Sequence, residues 1–271
     1  MNLSPLYITF GQHQVVVETA IVDVHFALKR WFYAMLSPQP SFIVRQVTIF
    51  QSDGNYIIQS DQTVHEPISE QFWLLQAVKY EIVMGLVRSR PDLLWFHAAA
   101  VAFDKKAVVF AAPGGGGKST LAAQLCQQGW RYLSDDVLPL ELATGNILPF
   151  PQTPRVRRNT GELVTSDRLS LVPKFDITLD LKSICQEPLP IRAIVFPSFD
   201  SQTEAQILPC SPGTTALELL RNCINFTDHK QAAVQQICEL AKHLPAFSLS
   251  FSNVDCALES LDRIGLAKLT A

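Results

Sequence analysis

The sequence predicts an α/β chain in which a larger core follows a small N-terminal α+β unit, and three observations carry that expectation. From residue 91 onward, apolar runs of strand length alternate with segments of helical spacing. A run of four glycines, Gly114 to Gly117, joins one such strand directly to one such helix. Before residue 90 the pattern is different, with short alternating stretches and one long helical stretch, so the expected organisation is 1–90 and 91–271.

In the first unit, residues 42–50 and 55–59 alternate as strands and meet across Ser52-Asp53-Gly54, a hairpin turn by composition. From Ser69 the spacing becomes helical. Phe72, Leu75, Val78, Ile82 and Leu86 share one face, Trp73 adds to the side facing the core, and the pattern stops before Pro91. This unit has no chemical motif, and its position alone assigns it to substrate recognition.

In the second unit, residues 93–103 read as one buried strand, Asp104-Lys105-Lys106 as a polar break, and residues 107–111 as a second strand. Residues 120–128 have helix-forming composition, with Gly129 where a helix end favours glycine. A strand at 130–133 leads to Asp135-Asp136. The proline-rich stretch 148–154 reads as an ordered loop, leading to Arg155, Arg157 and Arg158. Strands follow at 191–196 and 205–208 around a polar turn, then helices at 214–222 and 229–242, a strand at 246–251 and a closing helix over 254–266.

Composition narrows the function classes. Hydrophobic residues make up 48% and charged residues 17% of the 271, a globular balance. The formal charge of −3 supplies no basic field for nucleic acid. No apolar stretch of about 18 residues occurs and the N-terminus has no targeting pattern, so the expectation is a soluble, cytoplasmic protein that engages no membrane. Six dispersed cysteines form no paired metal-ligand spacing and are expected as buried thiols.

The stretch Ala112-Pro113-Gly114-Gly115-Gly116-Gly117-Lys118-Ser119 has the spacing of a Walker A phosphate loop, with Ala112 where the first glycine usually stands. Glycines let successive backbone N–H groups turn inward around phosphate oxygens, and the amides opening the helix at Thr120 add a partial positive charge. Lys118 is the candidate for the β- and γ-phosphates and Ser119 for magnesium. The preceding strand and following helix supply the context that such a motif requires.

Asp135 and Asp136 stand at the end of the strand that follows the loop helix. Phosphoryl transfer to a hydroxyl needs magnesium beside the phosphates and a carboxylate to accept the hydroxyl proton. Asp136 is the candidate base and Asp135 the candidate on the metal side, with their order open on sequence alone. The arginines after Pro154 suit oxyanion recognition, Arg155 foremost.

Taken together, His97, the loop Gly114 to Ser119 and the Asp135-Asp136 pair resemble the C-terminal catalytic domain of HPr kinase/phosphorylase and related bacterial kinases. The interval from His97 to Ala112 matches a His-Gly step in that family, and Ser134-Asp135-Asp136 matches its Ala-Asp-Asp step. The likeness is strongest over residues 94–139 and continues weakly through 209–225 and 247–261. It implies a P-loop kinase core akin to phosphoenolpyruvate carboxykinase, ATP and magnesium as cofactors, a serine hydroxyl as acceptor, the second aspartate as base, and His97 beside the aspartates and phosphate. The Glu-x-Arg-Gly-x-Gly type signature is absent, so phosphorylase activity, HPr as substrate and a hexamer do not follow, and a homo-oligomer is left open.

The expected function is therefore ATP- and magnesium-dependent transfer to a serine of a protein or peptide. Two alternatives stand beside it, a small-molecule kinase of the shikimate or gluconate type and a non-catalytic ATP-binding sensor. The hundred or so residues before the loop, with the additional strand at His97, disfavour the small-molecule kinase.

Overall fold

The computed structural model describes residues 3–157 and 174–266. It is a mixed α/β structure that divides into two compact units, Met1–Pro91 and Asp92–Ala271. The expected arginine at position 158 lies outside the described residues.

The first unit is built from β1 (Leu6–Phe10), β2 (His13–Thr19), α1 (Val22–Trp31), β3 (Leu36–Ser37), β4 (Phe42–Ser52), β5 (Asn55–Ser60), β6 (Thr63–Val64) and α2 (Gln71–Ser89). Its sheet has the order β3-β1-β2-β4-β5-β6. Only β2 and β4 are parallel, which requires a crossover, and α1 lies within it. The β4–β5 hairpin turns at Asp53 (φ 50°) and Gly54 (φ 79°), both left-handed as a tight hairpin demands.

Helix α2 buries Leu74, Val78, Ile82 and Leu86, a stripe at four-residue steps. Phe72 and Trp73 were expected on that face but are 40% and 45% exposed. At about 100° per residue, Phe72 falls almost opposite Leu74 and Trp73 at its flank. Glu81 comes in with the stripe because Arg45 of β4 meets it at 2.7 Å, and Gly85 lets Arg45 and Val15 approach.

The second unit contains β7 (Leu93–Phe96), β8 (Ala98–Phe103), β9 (Lys106–Ala111), α3 (Lys118–Gln127), β10 (Arg131–Ser134), β11 (Leu138–Glu141), β12 (Arg155–Arg157), β13 (Lys174–Asp176), β14 (Ile191–Phe199), β15 (Gln206–Pro209), α4 (Pro212–Arg221), α5 (Phe226–His229), α6 (Gln231–His243), β16 (Ala246–Phe251) and α7 (Val254–Arg263). Its main sheet has the order β10-β8-β9-β14-β16-β15. Strands β9, β14 and β16 run parallel, while β8 is antiparallel to both β9 and β10. Small side chains dominate one face of β8, where Ala98, Ala100 and Ala102 join a core with Val109, Ile194, Leu219, Ile237 and Leu240. Helices α4 and α6 pack together over that core.

Two sequence expectations change here, those for the strand over 93–103 and for the thiols. The single strand expected over 93–103 is two strands in different sheets, since β7 pairs with β11 and β8 with β9 and β10. The break falls at His97, whose N–H is taken by the carbonyl of Asn222 at 2.7 Å. Strands β14 and β15 do not pair with each other, because β16 enters between them. Of the six thiols only Cys126 and Cys185 are buried; Cys210, Cys223 and Cys238 are half-buried and Cys256 is exposed. Burial pushes the Cys126 thiol up to about 12 and Cys223 up to about 11, so neither is a nucleophile at neutral pH.

Asn225 clamps β7 from the helical side. Its Oδ1 accepts the Trp95 N–H and its Nδ2 donates to the Leu93 carbonyl, both at 2.9 Å in the buried interior. Asn225→Ala should leave two buried backbone groups unmet and cost about 2 kcal/mol or more. A thermal melt should show a drop of roughly 5 °C; an unchanged melting temperature would contradict the clamp.

Candidate active site

The sheet directions bring three separate segments to one edge. The loop follows the C-terminal end of β9, the aspartates follow the C-terminal end of β10, and His97 precedes the start of the antiparallel β8 that lies between them. Ligands of open α/β sheets bind at this end of the parallel strands.

The loop backbone uses its glycines unequally. Gly115 (φ 93°) and Gly117 (φ 95°) are left-handed. A Cβ on Gly117 would lie 2.5 Å from Phe251 Cζ, and one on Gly116 would lie 2.8 Å from the Pro197 carbonyl. Gly114 has an ordinary φ and nothing within 4 Å of that position. Helix α3 starts at Lys118 with Gly117 as its N-cap, so no side chain caps its first turn.

Two linked constellations stand at the loop. In the first, Ser119 Oγ donates to Asp135 Oδ1 at 2.8 Å. Asp135 is only 4% exposed, and its Oδ2 accepts the Arg155 N–H at 3.4 Å. In the second, Lys118 Nζ donates to the carbonyls of Ala112 (2.5 Å) and Pro113 (3.2 Å) and lies 3.0 Å from His97 Nε2. His97 Nδ1 in turn lies 2.9 Å from the Asp136 carbonyl oxygen and 3.4 Å from Asp136 Oδ1.

Those contacts select a protonation state. An ammonium can only donate, so His97 Nε2 accepts from Lys118 and the ring proton sits on Nδ1, donating to Asp136. Burial first, and then the Lys118 charge, hold His97 below its ordinary value against the opposing pull of Asp136 and Asp135. His97 is thus a neutral imidazole at pH 7.

The two aspartates occupy different surroundings. Asp135 is enclosed between Ser119 and the Arg155 amide. Asp136 has a side chain 36% exposed and a left-handed backbone (φ 73°), unusual for a residue with a Cβ. Ser134, fully buried, anchors the turn, with its hydroxyl within hydrogen-bond reach of both the Val137 and Phe150 carbonyls and its one proton donated between them.

Thr120 is half-buried in the first turn of α3. The Arg155 guanidinium is 3.2 Å from Asp176 Oδ1 across the β12–β13 pair, so this residue reaches the site through its backbone N–H. Pro197, Phe251, Asn222 and Asp176 support the site and were not picked out from the sequence. Each acts through packing, a backbone contact or, for Asp176, an ion pair set by distant residues, and only the apolar ends of the strands at 191–196 and 246–251 gave any signal.

Among the described residues no group of three or more His, Cys, Asp or Glu side chains is arranged to hold a metal ion, and no helix is long and apolar enough to cross a membrane.

No family model matches the chain and no curated protein matches it. Among solved structures, the Hpr(Ser) kinase/phosphatase from Coxiella burnetii aligns over 63% of this chain and 88% of its own, at 14% identity and a TM-score of 0.31, a distant structural similarity.

Proposed function

We propose that this chain is a magnesium- and ATP-dependent phosphotransferase whose acceptor is a serine hydroxyl of a protein or peptide. The observation that carries the reading is the 2.8 Å bond from Ser119 to Asp135 at the first turn of α3, beside a left-handed glycine loop. With its proton engaged by Asp135, the Ser119 oxygen keeps lone pairs for a cation. Hard oxygen donors of this kind suit magnesium, which completes its shell with phosphate and water.

Charge supports the same requirement. Asp135 and Asp136 oppose the single ammonium of Lys118 while His97 stays neutral, so a polyphosphate alone would be repelled. Bound magnesium would neutralise the β- and γ-oxygens. Lys118 would leave the loop carbonyls for those oxygens, and the amides of Gly115 to Thr120 would cradle the phosphates.

In this reading Asp136 takes the proton from the acceptor hydroxyl as its oxygen bonds to the γ-phosphorus. The bond from that phosphorus to the β,γ-bridging oxygen breaks, and ADP departs. His97 holds Asp136 through its backbone carbonyl and is a positioning residue. The acceptor class rests on the sequence resemblance alone. The first unit, which carries none of these side chains, is assigned to acceptor recognition.

The experiment is transfer from γ-labelled ATP to serine-containing peptides and candidate proteins, with and without magnesium. Label on serine is expected, lost on chelation and in Lys118→Ala. Failure of the wild-type chain to bind Mg·ATP would overturn the reading.

A further inference from the structure

We infer that Phe199, at the exposed end of β14, is the platform on which the nucleotide's aromatic base stacks. The inference rests on the proposed nucleotide site and adds where the base lies. Ser119, Asp135, His97 and Asp136 all lie on the β10–β8 side of the loop. The terminal phosphate belongs with the cation and the acids on that side, so the nucleoside leaves toward the C-terminal ends of β14 and β16.

An aromatic pair stands there. Phe251 ends β16, is 1% exposed, and seats its ring against Gly117. Phe199 is its register partner on β14, with ring centroids 5.7 Å apart at 74°. Phe199 is nonetheless 39% exposed, so the pair does not cover it. The chain is fixed just beyond it, because the Asp200 N–H donates to the Phe251 carbonyl at 2.9 Å. The Asp200 carboxylate in turn accepts from the Gln202 N–H and the Thr203 hydroxyl.

A rigid, part-exposed aromatic ring two residues past the strand position that touches the loop has the makings of a stacking surface. Base–aromatic stacking is base-tolerant and strong enough to read by alanine substitution.

The test is calorimetric titration of the full chain, in magnesium, with ADP and separately with inorganic tripolyphosphate. Phe199→Ala should weaken ADP about tenfold and leave tripolyphosphate within about twofold. Phe199→Leu, which keeps apolar cover over Phe251 without a π face, should weaken ADP similarly, and Phe199→Trp should restore it. Equal losses for both ligands would mean that Phe199 only braces the loop, and this would overturn the platform. So would unchanged ADP binding in Phe199→Ala and Phe199→Leu. Wild-type binding of tripolyphosphate without ADP overturns the platform and leaves the phosphate site standing; binding of neither overturns both.

Discussion

Asp136→Asn should slow transfer by about 10² to 10⁴, the usual contribution of a positioned base, while ADP affinity stays within about threefold. The expectation follows from the unlike surroundings of the two acids. Asp135 is buried and already occupied by Ser119 and the Arg155 amide. Asp136 is part-exposed and is presented outward by a left-handed backbone that His97 holds through the Asp136 carbonyl. In the proposed reaction, removing the negative charge at Asp136 would leave the phosphate contacts intact and take away the proton acceptor, so the loss should appear in kcat. Asp135→Asn should do the reverse, raising the magnesium concentration needed for nucleotide binding. Single-turnover transfer and equilibrium binding separate the two, and an Asp136→Asn enzyme with an undiminished rate would remove Asp136 from the role of base.

The second large effect concerns the loop backbone. Gly117→Ala should weaken ATP about a hundredfold, because a left-handed non-glycine costs about 1–2 kcal/mol and displacing the buried Phe251 ring roughly 1–3 more. Gly114→Ala, three residues earlier in the same run, should bind within about threefold, since its φ is ordinary and the space is open. Titration of both variants with Mg·ATP decides it. Similar losses in the two would show that the loop's tolerance is governed by something other than the backbone angle and the Phe251 contact.

The parts of this molecule legible in its sequence are those set by near neighbours. The glycine loop, the helix after it and the Asp53-Gly54 turn announce themselves because each is specified within about ten residues. The break at His97 was invisible for the opposite reason. Residues 93–103 are apolar without interruption except for that histidine, and what divides them is the carbonyl of Asn222, far along the chain. Strands β14 and β15 follow one another around a polar turn in the sequence, yet β16 lies between them in the sheet. Phe72 and Trp73 misled because hydrophobicity marks a residue as apolar without saying on which side of a helix it falls. Likewise the sequence marked Arg155 by charge, whereas the structure turns its guanidinium to Asp176 and its amide to Asp135.

The Asn222 and Asn225 contacts to the segment around His97 have a consequence for how the protein comes into being. The backbone of His97 and the strand before it are held by residues about 130 positions later in the chain. During synthesis the loop, its helix and the acid pair all emerge long before that clamp exists. A ribosome that has released only the first two hundred residues therefore carries a nascent chain with every reactive group and no fixed His97. Closure over such a span is slow relative to local folding, so a fixed site should arrive late and abruptly, once α4, Asn225 and then β16 have cleared the exit tunnel. A nascent chain arrested earlier would leave an apolar strand in search of a partner, the kind of segment that chaperones hold.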